Sequence, residues 1–310
     1  MKLLPFFTLI VSASTAALQQ QQQEPHEERN ETEVVRRAVD KPYVFATFTS
    51  EHEQKSNEET WLHIYTSDDG KQFAEYAMNA YKPAQGLLRD PSIIKDGDTY
   101  YVVHTTNWSG DDLAVIKSKD LKNWVQVSNV KTGVKDTEKV WAPEWFRDPT
   151  DNKIYVYVSI KTKQENFAPY IYTTNGDLGS FGTGEKLDVY NYGNGVGQPH
   201  IDMFVVYKGD DKDTPYHAFM KNEKEKHIEH LTSKTAKGTW NYVQTNNALG
   251  FGKREGPTVT VLPDGKWIMW MDNYHGNYLY STSDDLSHWS DSVDMPSHNK
   301  VFRHGTVIRQ

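Results

Sequence analysis

Five segments of this chain end in the same way. IYTSDDGKQF closes at Phe73, VIKSKDLKNW at Trp124, IYTTNGDLGSF at Phe181, HLTSKTAKGTW at Trp240 and LYSTSDDLSHW at Trp289, which sets the closing aromatics 51, 57, 59 and 49 residues apart. Ahead of each lies a run rich in aromatic and β-branched residues: 43–50 (YVFATFTS), 100–106 (YYVVHTT), 154–160 (IYVYVSI), 216–220 (YHAFM) and 267–272 (WIMWMD). Their length and alternation suit half-buried strands. Self-similarity at this period marks a repeat architecture in which each unit is one small sheet.

A third set of segments shows how the units join. RDPSII begins at Arg89, APEWF at Ala142, HIDMFVV at His200, REGPTVTV at Arg254 and RHGTVI at Arg303. The fifth of these lies at the C-terminus, whereas the first run, at Tyr43, has none before it. A closed ring accounts for both facts. The last strand, near 304–308, supplies the inner strand of the blade begun by residues 43–80. Radial repetition of four-stranded sheets leaves only short, protected edges. The expected fold is therefore all-β: a five-bladed β-propeller over 41–310, closed by the C-terminal strand joining the first blade. A β-sandwich of similar strand count is the alternative. Trp124, Trp240 and Trp289 recur at one blade position and are read as core plugs.

The N-terminus reads differently. Residues 1–17 (MKLLPFFTLIVSASTAA) have the layout of a secretory signal peptide, too short an apolar run to span a bilayer. Residues 18–40 are rich in Gln and charge, and are expected to be a flexible leader. Asn30 and Asn107 head glycosylation sequons that matter only if the chain is secreted. The chain has no cysteine, which excludes disulfides, thiolate metal sites and a cysteine nucleophile. A net charge of −8 without a basic run argues against nucleic acid. No later apolar stretch could span a membrane, and the mature protein is expected to be a soluble, extracellular monomer.

In a propeller the inner strands line the channel, so the residues that begin them meet at one mouth. Those residues are Asp90, Glu144, Asp202, Glu255 and His304. Loops carrying Trp108, Phe167, Tyr274 and His275 are expected on the same face. Aromatic faces stack on sugar rings and carboxylates do acid–base work on glycosidic bonds. His227-Ile-Glu-His230 does not match the zinc-protease spacing, and no Gly-x-Ser-x-Gly elbow occurs.

Arg89-Asp90-Pro91-Ser92-Ile93-Ile94, followed by Gly97-Asp98-Thr99-Tyr100-Tyr101, resembles the opening motif of glycoside hydrolase family 43. Trp141-Ala142-Pro143-Glu144, Ile201-Asp202 and Arg254-Glu255-Gly256-Pro257 resemble that family's later motifs, in the same order, across 43–310. The resemblance implies an inverting glycosidase. Asp90 would be the general base that activates water, Glu255 the general acid, and Asp202 the carboxylate that orients Glu255 and raises its pKa. The expected substrate contacts are Trp108, Tyr274 and His275 from the mouth loops, with Trp141, Glu144, Arg254, Arg303 and His304 from the motif segments. No cofactor is required; a structural calcium or sodium in the channel, held through His304, is the metal the family suggests. Base and acid of an inverting pair stand roughly 6.5–9.5 Å apart.

The expected activity is an exo-acting α-L-arabinofuranosidase on plant cell-wall arabinan or arabinoxylan. The first-blade loop at 51–60 and the loop at 272–277 would wall off the pocket. β-Xylosidase, endo-arabinanase and galactofuranosidase or galactosidase activities are the alternatives within the family. A catalytically inert sugar-binding propeller is the alternative outside it. An invertase-like retaining hydrolase lacks its nucleophile strand here.

Overall fold

The computed structural model describes residues 39–50, 61–190, 199–275, 278–296 and 301–310. The signal-peptide reading, the leader up to residue 38 with its Asn30 sequon, and the loop at 51–60 lie outside the described residues. The rest is built from strands, and no helix occurs among the described residues.

The five blades follow the repeat. Blade one pairs Thr306–Arg309, Tyr43–Thr47, Leu62–Ser67 and Ala74–Tyr81 in that order; blade two is Arg89–Asp96, Thr99–Thr105, Asp112–Ser118 and Val125–Lys131. Blade three is Thr137–Arg147, Ile154–Thr162, Ala168–Thr173 and Glu185–Lys186. Blade four runs His200–Tyr207, Tyr216–Asn222, Ile228–Ser233 and Trp240–Gln244, with Val189–Tyr190 added in parallel at its edge. Blade five is Glu255–Val261, Trp267–Asp272, Tyr278–Ser283 and Val293–Asp294.

Closure is as expected. The C-terminal strand pairs antiparallel with the first, Tyr43 opposite Arg309 and Ala46 opposite Thr306. The inner strands touch in ring order, and the innermost strand of blade one meets both blade five and blade two. The β-sandwich alternative is excluded by this ring of separate sheets.

Burial departs from the half-buried pattern. Tyr43–Thr47, Leu62–Ser67, Tyr216–Asn222 and Ile228–Ser233 are buried at every position. A blade is covered on both faces by its neighbours, so its inner strands have no solvent side. Outer strands such as Ala74–Tyr81 and Val125–Lys131 are only partly covered. The apolar core is accordingly divided among the seams: Val44 and Ile64 pack with Ile93 and Val102 between blades one and two, and Phe45 and Tyr65 with Ile268 and Trp270 between one and five.

The repeated turn has a local cause. The carboxylates of Asp69, Asp120 and Asp285 each accept two backbone N–H bonds from residues two and three ahead, at 2.8–2.9 Å. A Ser two residues before each Asp braces it. The aromatic that follows packs into the seam: Phe73 is buried, and the indole N–H of Trp124 and Trp289 donates to the Leu121 and Leu286 carbonyls of its own turn.

Candidate active site

Each of blades two to five interrupts its inner strand with a β-bulge at the same place. Arg89 and Ser92 face Thr105 and Val103; Trp141 and Glu144 face Ser159 and Tyr157; Ile201 and Phe204 face Lys221 and Phe219; Glu255 and Thr258 face Asp272 and Trp270. Three steps on the inner strand thus match two on its neighbour, leaving one extra residue. The second residue of each bulge has positive φ: Asp90 (48°), Ala142 (49°), Asp202 (60°) and Gly256 (56°). Left-handed backbone strains a residue with a Cβ by about 1–2 kcal/mol, and such strain gathers at functional sites.

The register reassigns the five mouth residues. Asp90 and Asp202 hold the bulge position itself, Glu255 stands one residue before it, and Glu144 two residues after. They are not five copies of one position. Glu144 is therefore deeper than the others. Its Oε1 lies 3.1 Å from His304 Nε2, and its Oε2 accepts from Thr306 Oγ1 at 3.0 Å. The expectation that Glu144 touches substrate is corrected: it stands beneath the pocket, with both oxygens engaged.

His304 forms the floor. Its Nδ1 faces Asp90 Oδ1 at 3.7 Å and Asp202 Oδ1 at 3.8 Å. Burial opposes a charged ring, but Asp202, Glu144 and Asp90 outweigh it and raise the imidazole to about 10. With three carboxylates around it, the ring favours its protonated form. No group of three or more His, Asp or Glu among the described residues is arranged to hold a metal.

Asp90 is hydrogen-bonded through Oδ2. Thr105 Oγ1 donates to its Oδ2 at 2.8 Å and accepts the Ala142 N–H at 2.9 Å. Asp202 Oδ2 accepts the Gly256 N–H at 3.1 Å. Burial raises Asp202 to about 6, against His304 and Lys221. Side chains of Asp90 and Glu255 each keep 13% exposure, whereas Asp202 keeps 4% and Glu144 2%. Of these four carboxylates, Asp90 and Glu255 are the pair with room to meet a substrate.

Glu255 belongs to an alternating chain of charges. Lys226 Nζ pairs with Glu223 at 2.7 Å, Lys221 Nζ with Glu223 at 2.7 Å and with Glu255 at 2.6 Å, and Arg303 with Glu255 at 3.3 Å and Asp272 at 3.0 Å. Burial would raise Glu255, but Lys221 and Arg303 overcome it and hold the carboxyl down at about 2. The expectation that Asp202 raises its pKa is not met. Asp272 moves the other way, lifted by burial and by Glu255 to about 7 in spite of Arg303.

The rim is aromatic. Trp108, Trp141 and Tyr274 line a pocket of about 230 Å³ with Arg89, Asp90, Asp202, Lys221, Glu255, Arg303 and His304. Arg89 lies 4.2 Å over the Trp108 ring and 4.8 Å over Phe48. Trp141 packs on Trp108 and on the buried Phe167. Arg254 and His275 do not line the pocket: Arg254 turns to the Lys253 carbonyl and His275 is exposed. Of the loop at 272–277, residues 276 and 277 lie outside the described residues.

Lys221, Asp272, Glu223 and Arg89 were missed from sequence. Lys221 and Asp272 sit directly across the ladder from Ile201 and Glu255, so strand register would have found them. The motif pattern alone could not.

Comparison with known proteins fits this geometry. A family model described as "Probable glycosyl hydrolase domain", related to glycoside hydrolase family 43, matches residues 40–309. Among solved structures, a thermostable family-43 glycoside hydrolase is similar at 19% identity and a TM-score of 0.50, over 67% of this chain and 73% of that one. An exo-β-1,3-galactanase from Clostridium thermocellum is similar at 14% identity and a TM-score of 0.53, over 73% of this chain and 51% of that one. The family 43 protein BlXynB from Bacillus licheniformis is similar at 17% identity and a TM-score of 0.51, over 68% and 42%. The match thus spans about half the length of the latter two proteins or less. Comparison with curated proteins returned no match.

Proposed function

Because the chain belongs to a family of glycosyl hydrolases related to glycoside hydrolase family 43, we propose that it is an inverting, exo-acting glycosidase. It removes single terminal sugars, with α-L-arabinofuranose on arabinan or arabinoxylan as the first substrate to try. The observation that carries this reading is the placement of Asp90 and Glu255. Of the four carboxylates on the inner strands they are the two that keep 13% side-chain exposure, on blades two and five, which are next-but-one neighbours in a ring of five.

Asp90 takes a proton from water, and the water oxygen attacks the anomeric carbon as the glycosidic bond breaks. Glu255 delivers a proton to the departing oxygen, so the displacement is direct and the configuration inverts. Asp202 positions this acid through the Gly256 N–H beside it. His304, an imidazolium, offsets the charge of Asp90 and Asp202. The pocket lies below the roughly 300–1,000 Å³ of common small-molecule sites, a size that suits one sugar ring and favours exo action.

A terminal β-1,3-linked galactose is the second candidate, because structures described as exo-β-1,3-galactanases share the fold. Secretion is part of the same proposal and rests on residues 1–17; N-terminal sequencing of the protein from culture medium, expected to begin near Leu18, tests it.

The deciding experiment offers aryl arabinofuranosides, xylosides and galactosides beside arabinan, arabinoxylan and β-1,3-galactan. Proton NMR follows the first turnovers. Release of a monosaccharide of inverted configuration is expected. Early appearance of the retained anomer would overturn the mechanism, oligosaccharide products the exo assignment, and binding without release the enzyme itself.

A further inference from the structure

Lys221 is the one lysine that ends inside the acid's own contact shell while staying buried, its side chain 4% exposed. It comes from the strand Tyr216–Asn222, at the position opposite the blade-four bulge. In blade two the residue at that position, Thr105, reaches forward to the backbone of the blade-three bulge. In blade five it is Asp272, which reaches forward to Arg303. Lys221 does the same, crossing from blade four to Glu255 on blade five. What distinguishes it is a positive charge shared between two carboxylates. Its ammonium lies 2.7 Å from Glu223, which Lys226 also holds at 2.7 Å. Tyr274 covers the group, with its ring 5.3 Å away.

We propose that Lys221 is a positioning residue that sets the pH range over which Glu255 can act as an acid, by dividing its charge between Glu255 and Glu223. The inference rests on the reading of Glu255 as the acid. A general acid must carry its proton before the bond breaks. An opposite charge within hydrogen-bond reach favours the carboxylate instead, by about 1–3 units for a buried pair. The groups facing Glu255 are Lys221 and Asp202 from blade four, Asp272 and Tyr274 from blade five, and Arg303 and His304 from the closing segment. Arg303 is tied to Asp272 as well, and a guanidinium does not titrate here. Lys221 is the cation whose grip a neighbouring carboxylate can loosen, and Glu223 is that carboxylate. The arrangement places the working range of the enzyme on the acid side of neutrality.

Two substitutions push in opposite directions. Lys221→Met removes the charge and keeps much of the buried stem; Glu223→Gln leaves the ammonium to Glu255 alone. Full-length protein labelled with ¹³C at Glu carboxyls would be titrated by NMR, with Glu255 assigned by its loss in Glu255→Gln. The pH dependence of kcat/KM would be measured on the same variants. Lys221→Met should raise the Glu255 titration and the basic limb together by about 1–3 pH units. Glu223→Gln should lower both, and Lys221→Arg should restore the wild-type limb. A Glu255 titration that stays in place in both charge-altering variants would overturn the inference. A titration that moves while the limb stays fixed removes Glu255 as the acid, and with it the catalytic part played by Lys221.

Discussion

His304 Nε2 lies 3.1 Å from Glu144 Oε1, tying the segment that closes the ring to the inner strand of blade three. The pair spans the channel, since His304 leads into the strand of blade one while Glu144 belongs to a blade two places on. Closure therefore rests on more than the ladder between the first and last strands. Removing one partner of a buried ion pair costs about 3–5 kcal/mol. Glu144→Ala should lower stability by that amount in urea unfolding, with KM little changed in the fraction that folds. A raised KM at wild-type stability would return Glu144 to the substrate.

The same histidine predicts a pH dependence. Its folded pKa, about 10, lies above the ordinary 6.5. The native state then keeps a proton that the unfolded state gives up. The stabilisation is complete below about pH 6.5 and declines as pH rises through 10, by about 1.4 kcal/mol per unit. Unfolding free energies measured from pH 7 to 9.5 should fall along this slope, and His304→Gln should flatten it. An unchanged slope in that variant would assign the loss to other groups.

Gly256 is required at its bulge for two reasons. Its φ is 56°, and a Cβ there would meet the His304 side chain at 2.6–2.8 Å. Overpacking of this kind costs about 1–3 kcal/mol. Gly256→Ala should lower the melting temperature and also reduce kcat, because the Gly256 N–H is the bond that holds Asp202. Stability loss with unimpaired kcat would separate the bulge from the chemistry.

Asp90 and Glu255 should fail differently. Asp90→Asn is expected to fold normally and lose about 10²–10⁴-fold in turnover on every substrate, since the base is needed whatever the leaving group. Glu255→Ala should cripple hydrolysis of natural linkages but spare dinitrophenyl glycosides, which leave without a proton. Equal losses on both substrate types would remove Glu255 as the acid.

Trp108 is 45% exposed at the lip, with its ring against Arg89. Trp108→Ala should raise KM while the melting temperature stays within a degree or two, as expected for an exposed side chain that meets substrate. A large melting shift with unchanged kinetics would make it an anchor for Arg89 and Trp141 instead.

Sequence by itself determined the ring. The closing aromatics recur five times and the Ser-x-Asp turns before them three times, all of it local chemistry, and the displaced fifth inner strand required closure through the C-terminus. It also marked Asp90, Asp202 and Glu255, because each stands in a motif of contiguous residues. What it could not determine was the depth of each acid and its charge partners. Asp90, Glu144, Asp202 and Glu255 look equivalent in the motifs, yet a bulge of one extra residue separates them by up to three positions, and only the ladder register reveals it. Likewise Lys221 and Arg303 are 34 and 48 residues from Glu255 in the chain. Their pairing with Glu255 is decided where blades four, five and one converge, by burial and distance, and those act across space and leave no trace in local sequence.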